Sequence, residues 1–349
     1  MRVSLSKSDR SFSGAPDRPV LDAALDAGLN LPHSCKGGNC GACRVRLLEG
    51  EVTYPNGRPL GLSDAEVADG FILLCQARAV SDLRIEAFER SAPGESAIKR
   101  VPGRIVRSNP LSHDVMGVFL RLPAAESFDF QPGQYIDVML SGGRRRSFSI
   151  ASPPHDSSLL ELHIRRVRGG EFTDPLFAGP LKYSERGTLL SIEGPLGQFV
   201  YQPADAPMLL VGGGTGLAPL KSILRHVIEN DLPRRMTLYW GVRSERDLYA
   251  HQELEELVRR VPWFRYEAVL SEPSAAWTGR RGWVHEAVLH DFERLAATDI
   301  YASGPPAMIA AVRREFAQRG ADPARLFFDS FDYAPDTLER QRTTAATKS

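Results

Sequence analysis

The stretch His33-Ser34-Cys35-Lys36-Gly37-Gly38-Asn39-Cys40-Gly41-Ala42-Cys43 holds three of the chain's four cysteines, and the fourth, Cys75, stands apart. The spacing C-x4-C-x2-C puts three thiols on one short loop. Gly37, Gly38 and Gly41 permit the positive φ and close approach that a backbone needs to wrap around a compact ligand. Amides of such a loop can turn inward and stabilise negative charge on sulfur. A single distant thiol then closes the site.

This is the ligand spacing of a plant-type [2Fe–2S] cluster, with Cys35, Cys40, Cys43 and Cys75 as the metal ligands. Such a cluster takes up and releases single electrons. Structural zinc held by four cysteines usually shows two short C-x2-C-like pairs instead. Disulfides suit neither four cysteines in 349 residues nor a chain with no secretory leader. Met1-Arg2-Val3-Ser4-Leu5-Ser6 lacks the apolar core of such a leader. The longest apolar run, near Pro207–Val211, is too short to span a membrane. The expected location is cytoplasmic. Formal charge balances at 43 basic against 43 acidic groups, so no basic excess points to nucleic acid or an anionic membrane.

Outward from the loop, three styles of patterning follow. Residues 1–90 read as a small mixed sheet crossed by a helix. Val20, Leu21, Ala24 and Leu25 share one helical face after Pro19. Ser63-Asp64-Ala65-Glu66 is a capping box. Residues 91–102 are a Pro-, Gly- and Ser-rich linker, which would let the first domain swing. Residues 103–203 alternate in short strands broken at Pro and Gly, the pattern of an antiparallel barrel. Residues 204–333 alternate strand and helix, the pattern of a doubly wound parallel sheet. Residues 334–349 are polar, aperiodic and expected to be disordered.

The barrel segment contains Arg146-Ser147-Phe148-Ser149. An arginine offers a bidentate fork to pyrophosphate, and the aromatic and hydroxyl after it suit a flat heteroaromatic ring. The motif resembles the R-x-[YF]-S signature of the ferredoxin–NADP reductase-like flavoproteins. The resemblance places Arg146 on phosphate, Phe148 against the isoalloxazine and Ser149 near flavin N5, with Ser147 between them. It extends to Gln131-Pro132-Gly133-Gln134-Tyr135 before the motif and to Gly169-Gly170-Glu171-Phe172-Thr173 after it. In that second segment Gly169, Gly170, Phe172 and Thr173 are implied at a second phosphate site, with free amides at a helix start. Gly194-Pro195-Leu196-Gly197 resembles the turn that ends the barrel. FAD is the implied flavin. The family more often has tyrosine where Phe148 stands.

Gly212-Gly213-Gly214-Thr215-Gly216-Leu217-Ala218-Pro219 follows a buried strand and opens a helix, a phosphate cradle. It is similar to the family's GGGTGxAP, which implies Gly213, Gly214, Thr215 and Gly216 as nucleotide contacts. Ser303-Gly304-Pro305-Pro306-Ala307-Met308 is similar to CGPPxM, with Ser303 in place of cysteine. Ser303, Gly304 and Pro305 would then shape the nicotinamide site. Ser149 and Ser303 are the residues implied nearest the reacting rings. Arg243, in Trp240-Gly241-Val242-Arg243-Ser244-Glu245-Arg246-Asp247, is expected at the adenosine ribose. Acidic and basic groups occur there together, so the segment itself fits NADH or NADPH; the resemblance to reductases of aromatic oxygenases implies NADH. Phe331 is implied as the aromatic covering the flavin, with core packing as the plainer reading. The eight histidines show no metal-ligand spacing, and His163 reads as structural.

Taken together, the modules resemble one-chain reductases with an N-terminal ferredoxin domain. These serve oxygenases or act as CDP-6-deoxy-Δ3,4-glucoseen reductases. The implied architecture is a β-grasp ferredoxin domain, an antiparallel FAD barrel and a parallel α/β nucleotide domain. The implied activity passes electrons from NADH through FAD and the [2Fe–2S] cluster to a protein acceptor. An oxygenase component is the expected acceptor, with a deoxysugar dehydratase as the alternative and a redox carrier or sensor as the non-catalytic one.

Overall fold

The computed structural model describes residues 1–34, 36–87, 98–124, 128–178 and 187–331. Cys35, residues 91–97 of the expected linker and the tail from 334 onward lie outside these. The first module runs β1 (Arg2–Leu5), β2 (Ser11–Ser13), α1 (Val20–Asp26), β3 (Arg44–Glu49), β4 (Val52–Thr53), α2 (Asp64–Ala68), β5 (Phe71–Leu73), β6 (Arg78–Ala79) and β7 (Leu83–Glu86). Its sheet has the order β2-β1-β7-β3-β5, with only β1 and β7 parallel. This is the β-grasp arrangement. Helix α1 lays Val20, Leu21, Ala24 and Leu25 into the core beneath it. Gly28, at φ 74, ends the segment, a conformation that costs glycine little. Both halves of the Ser63–Glu66 capping box are formed.

The second module comprises β8 (Lys99–Pro110), β9 (Val115–Arg121), β10 (Tyr135–Met139), β11 (Arg145–Ser149), β12 (Leu159–Arg165), α3 (Thr173–Ala178) and β13 (Thr188–Leu196). The order β11-β10-β13-β8-β9-β12 is antiparallel throughout, and an Ile150↔Leu162 bridge joins its two edges into a barrel. β8 begins at Lys99, inside the stretch read as linker. Val101 is buried there and pairs with Ile192. Pro102 is tolerated because β8 has only β13 as neighbour at that end, and β9 joins from Arg104 onward. β10 departs from simple alternation: Tyr135, Ile136, Asp137 and Val138 are all buried. Ile136 and Val138 fill the barrel, while Tyr135 packs into the core of the first module with Leu196.

The third module comprises β14 (Met208–Gly213), α4 (Leu217–Glu229), β15 (Met236–Val242), α5 (His251–Arg260), β16 (Phe264–Leu270), β17 (Arg280–Arg281), α6 (Val284–Asp291), β18 (Asp299–Gly304), α7 (Pro306–Gln318) and β19 (Leu326–Ser330). The sheet order is β17-β16-β15-β14-β18-β19, and each pair is parallel. Leu220 and Ile223 of α4 and Leu254 of α5 cover one face. Val288 of α6 and Ile309, Val312 and Phe316 of α7 cover the other. β14 and β18 are buried along their whole length, as strands covered on both faces must be. α6 and β17 escaped the sequence reading.

Candidate functional site

The cluster loop is built around three backbone inversions. Gly38 and Gly41 take φ 82 and 76, as glycines can, but the third inversion is at Lys36, φ 53, and not at Gly37. Gly38 also has no room for a side chain: a Cβ would lie 2.7 Å from Gln76 Cγ and 2.8 Å from Pro59 Cβ. Cys40, Cys43 and Cys75 are buried and unbridged. Cys43 and Cys75, from distant parts of the chain, bring their sulfurs within 3.1 Å, and the Ala42 amide points at Cys40 Sγ from 3.5 Å. Converging buried thiols with an amide aimed at sulfur fit a thiolate-held cluster. Cys35 lies outside the described residues. His33 is fully buried, with Nδ1 2.7 Å from the Leu31 carbonyl oxygen. Burial pushes its imidazole down to about 4, with the Lys36 charge helping, so the ring is neutral near pH 7.

Along β11, Arg146 is half-buried, Ser147 is exposed as a residue, Phe148 is half-buried and Ser149 is buried. The Phe148 ring leans on Phe172, centroids 5.4 Å apart and tilted 40°. Phe172 itself sits in the barrel core, 2 % exposed, and so backs Phe148. The following turn differs from expectation. The Gly169 amide donates to the Asp174 carboxylate at 2.7 Å, and the Gly170 amide donates to the Val167 carbonyl. The Thr173 hydroxyl bonds both the amide and the carbonyl of Val167. These residues close the turn on themselves: the Asp174 carboxylate engages the Gly169 amide and the Val167 carbonyl engages the Gly170 amide. The positive φ of Gly169, 75°, is what shapes that turn.

The strand order of the nucleotide sheet reverses between β14 and β18, where open α/β sheets bind ligands beyond their carboxyl ends. The two glycine loops meet there. A Cβ on Gly304 would stand 3.0 Å from Gly213 Cα, one on Gly213 2.8 Å from Pro305 Cδ, and one on Gly216 only 2.0 Å from the Ser303 carbonyl oxygen. Trp240 Nε1 fixes the Gly214 carbonyl at 2.9 Å. The Ser303 hydroxyl is fully buried without a hydrogen-bond partner among the described residues. A cradle that only glycine fits, with an orphan hydroxyl in its wall, suits a dinucleotide. Phe331 donates its amide to the Gly304 carbonyl at 2.9 Å, which sets this half-buried aromatic at the rim of that crevice. Thr215 is half-buried there, while Arg243 is exposed at the end of β15.

Three domain profiles cover the chain in the same order: a 2Fe-2S iron-sulfur cluster binding domain at residues 3–80, an oxidoreductase FAD-binding domain at 102–201 and an oxidoreductase NAD-binding domain at 210–314. A CDP-6-deoxy-L-threo-D-glycero-4-hexulose-3-dehydrase reductase of Yersinia pestis is 34 % identical over 95 % of this chain and 98 % of its own. Reductase component 2 of a terephthalate 1,2-dioxygenase from Comamonas sp. is 35 % identical over 96 % and 98 %. The solved structure of the Amycolatopsis cytochrome P450 reductase GcoB superposes with a TM-score of 0.76 at 33 % identity, over 95 % and 98 % of the two chains.

The chain belongs to the ferredoxin-linked flavoprotein reductases. It is an NAD(P)H-dependent oxidoreductase that works with a [2Fe–2S] cluster, FAD and a nicotinamide dinucleotide. In this reductase the structure adds residues that the motifs did not reveal. Asp329 of β19 accepts from Ser34 of the cluster loop at 2.7 Å and from Ser149 of the flavin strand at 3.4 Å, so one buried carboxyl touches all three modules. Burial pushes it up to about 6, against the two serine hydrogen bonds. Arg165 of β12 stands beside the first glycine loop, its Nη1 3.2 Å from where a Gly214 Cβ would be. Arg313 of α7 donates to the Asn39 carbonyl at 3.2 Å. The signal for Asp329 was legible in principle: it is the lone carboxylate in Phe327-Phe328-Asp329-Ser330-Phe331. Arg165 gave none, because Arg165-Arg166-Val167-Arg168 reads as a basic run. Among the described residues no helix is long and apolar enough to cross a membrane.

Proposed function

We propose that this reductase draws electrons from NADH and delivers them one at a time, in the cytoplasm, to the oxygenase component of a multicomponent system. When bound, the three cofactors supply hydride acceptance from the nicotinamide, storage of the electron pair on the flavin and single-electron release through the cluster. The protein's part is alignment. Arg146 would hold the flavin phosphates, Phe148 its ring and Ser149 its reacting edge. Cys35, Cys40, Cys43 and Cys75 would hold the irons. The loops at Gly213–Gly216 and Ser303–Pro305, with Arg165 beside them, would hold the dinucleotide, and Phe331 would cover the flavin face and yield it to the nicotinamide. The observation that carries the reading is the Asp329 carboxyl, which ties Ser149 to Ser34 and so brings the flavin strand, the cluster loop and the nucleotide sheet to one point.

A deoxysugar dehydratase is the second acceptor to consider, because the Yersinia pestis dehydrase reductase matches this chain about as well as the dioxygenase reductase does. Anaerobic titration with NADH and with NADPH, followed optically and by EPR, tests the cofactor reading and the donor. Flavin bleaching followed by the signal of a reduced [2Fe–2S] cluster is expected, and faster with NADH. A colourless protein holding zinc would end this account. Turnover with an added oxygenase component, compared with a dehydratase, decides the acceptor.

A further inference from the structure

A second buried carboxylate joins the cluster loop to the flavin strand without involving the nucleotide module. Asp137 lies on β10 with its side chain fully shielded from solvent. Lys36, the residue after Cys35, donates to its Oδ2 at 2.9 Å, and Ser147 donates to its Oδ1 at 2.5 Å. Ser147 faces Asp137 directly in the β10–β11 register and stands between Arg146 and Phe148. Arg145 Nη1 lies 3.8 Å from the same carboxylate, and its Nη2 reaches Asp26 of α1 at 3.0 Å.

The lysine is held in an uncommon conformation. Its φ of 53° lies in the left-handed region, which a long L side chain adopts only when its surroundings enforce it. Two contacts do so here: the ammonium on Asp137, and the Lys36 carbonyl accepting from Gln76 Nε2 at 2.8 Å. A fully buried carboxylate requires a cation, and Asp137 takes its nearest one from the loop that carries the thiols. The loop's ties to the nucleotide module are between other groups: Arg313 of α7 donates to the neutral Asn39 carbonyl, and Ser34 donates to Asp329 of β19.

We propose that the Lys36–Asp137 pair is a positioning device that fixes the separation between the cluster loop and the flavin strand, and with it the rate of electron passage between the two cofactors. The proposal rests on the functional reading above. Neither residue belongs to the nucleotide crevice, so reduction by NADH is left alone.

The test uses the full-length holoprotein and the variants Asp137→Asn, Lys36→Met and the two combined. Stopped-flow absorbance follows flavin bleaching and cluster reduction separately, and small-angle X-ray scattering reports how tightly the modules sit together. Both single variants are expected to bleach flavin at the parent's rate. Cluster reduction is expected to slow on the order of tenfold or more, the scale of an ångström-sized misplacement. Their radius of gyration is expected to rise. The double variant is expected to be no worse than the weaker single one, as for a coupled pair. Parent-like cluster reduction together with parent-like scattering in both singles would overturn the proposal. If Asp137→Asn loses flavin through Ser147, Lys36→Met decides, because the Lys36 ammonium bonds Asp137 and its removal leaves the Asp137–Ser147 bond in place. If the parent bleaches its flavin but never reduces its cluster, the functional reading fails, and scattering alone decides whether the pair docks the loop.

Discussion

Toward the nucleotide module the barrel presents β12, and toward the cluster module it presents β10. At β12, Glu161 accepts from Lys221 of α4 at 3.1 Å and lies 3.0 Å from His163 Nε2. His163 Nδ1 meets the Tyr249 hydroxyl at 3.1 Å, and Ser222 donates to the Ser152 carbonyl at 2.7 Å. Phe199, at the end of the barrel, is part of the nucleotide module's core. At β10 the described residues show a buried pair, Lys36–Asp137, with an outer bridge from Arg145 to Asp26, whose side chain is 44 % exposed. Tyr135 and Leu196 supply the apolar contact. The first joint is a network whose members satisfy one another, and the second centres on one buried ion pair with an exposed bridge beside it. The two joints of one barrel thus differ in construction, the former keeping the nucleotide crevice beside the flavin strand, the latter seating the cluster module on β10.

The largest expected effect separates the two joints by stability. Lys221→Met leaves Glu161 buried with only histidine beside it, and breaking a buried pair in this way costs roughly 3–5 kcal/mol. Asp26→Asn removes the exposed bridge of the other joint and costs about 0–1 kcal/mol. Denaturant unfolding of both variants measures the difference. Equal losses would erase the contrast between network and outer bridge.

Acid sharpens the same comparison. Burial alone would raise the Glu161 carboxyl, but the hydrogen bond from His163 and the Lys221 charge hold it down to about 2. Its folded value therefore lies below the unfolded value of about 4.3. The stability it contributes is fully present above that pH and is lost as pH falls toward 2, on the order of 3 kcal/mol. Asp329 runs the other way. Its carboxyl, raised to about 6 by burial, binds its proton more tightly folded than unfolded. Stability from this group is greatest below about pH 4, declines as pH rises to about 6 and is flat beyond, a change of about 2–3 kcal/mol. Unfolding free energy measured from pH 3 to 8 should lose its decline between 4 and 6 in Asp329→Asn. It should lose its acid-side fall in Glu161→Gln. A parent curve that rises steadily from 4 to 6 with no Asp329 effect would remove that carboxyl from the three-way junction.

What the sequence made legible follows the same division. Features set by local chemistry were readable: the cysteine spacing, the face of α1, the Ser63–Glu66 box and the alternating strands whose partners close the barrel. Glycine loops at Gly213–Gly216 and Gly304 were readable because only glycine leaves room where a Cβ on Gly304 would lie 3.0 Å from Gly213 Cα. Features set by docking were not. Val101 belongs to a strand, yet its Pro- and Gly-rich neighbourhood looks like linker until β13 pairs with it. Gly37 looked like an inverted position, but the inversion falls at Lys36, whose ammonium is held by Asp137 from another module. Gly169 and Gly170 looked like free donors because the reach of the Asp174 carboxylate to the first amide and of the Val167 carbonyl to the second is invisible in one dimension. Asp137, inside Tyr135-Ile136-Asp137-Val138, was the overlooked clue, since a carboxylate in a buried run must have a partner somewhere.

The smallest effect concerns the crevice that the rigid joint maintains. The Ser303 hydroxyl is buried and lacks a hydrogen-bond partner among the described residues, and an unsatisfied buried hydroxyl costs about 1–3 kcal/mol. Removing it should therefore help the protein when no nucleotide is bound. Ser303→Ala is expected to raise the unfolding free energy of nucleotide-free protein by about 1 kcal/mol, measured by denaturant unfolding. If the hydroxyl is retained to place the nicotinamide, the same change should lower the rate of flavin bleaching at saturating NADH more than it changes KM, because orientation is lost while most contacts remain. Ser303→Cys, which keeps a weaker donor of similar size, should fall between the two. A variant that is both less stable and unchanged in bleaching rate would mean that the hydroxyl serves the sheet and not the nucleotide, and the orphan would have to be explained by packing around β18 alone.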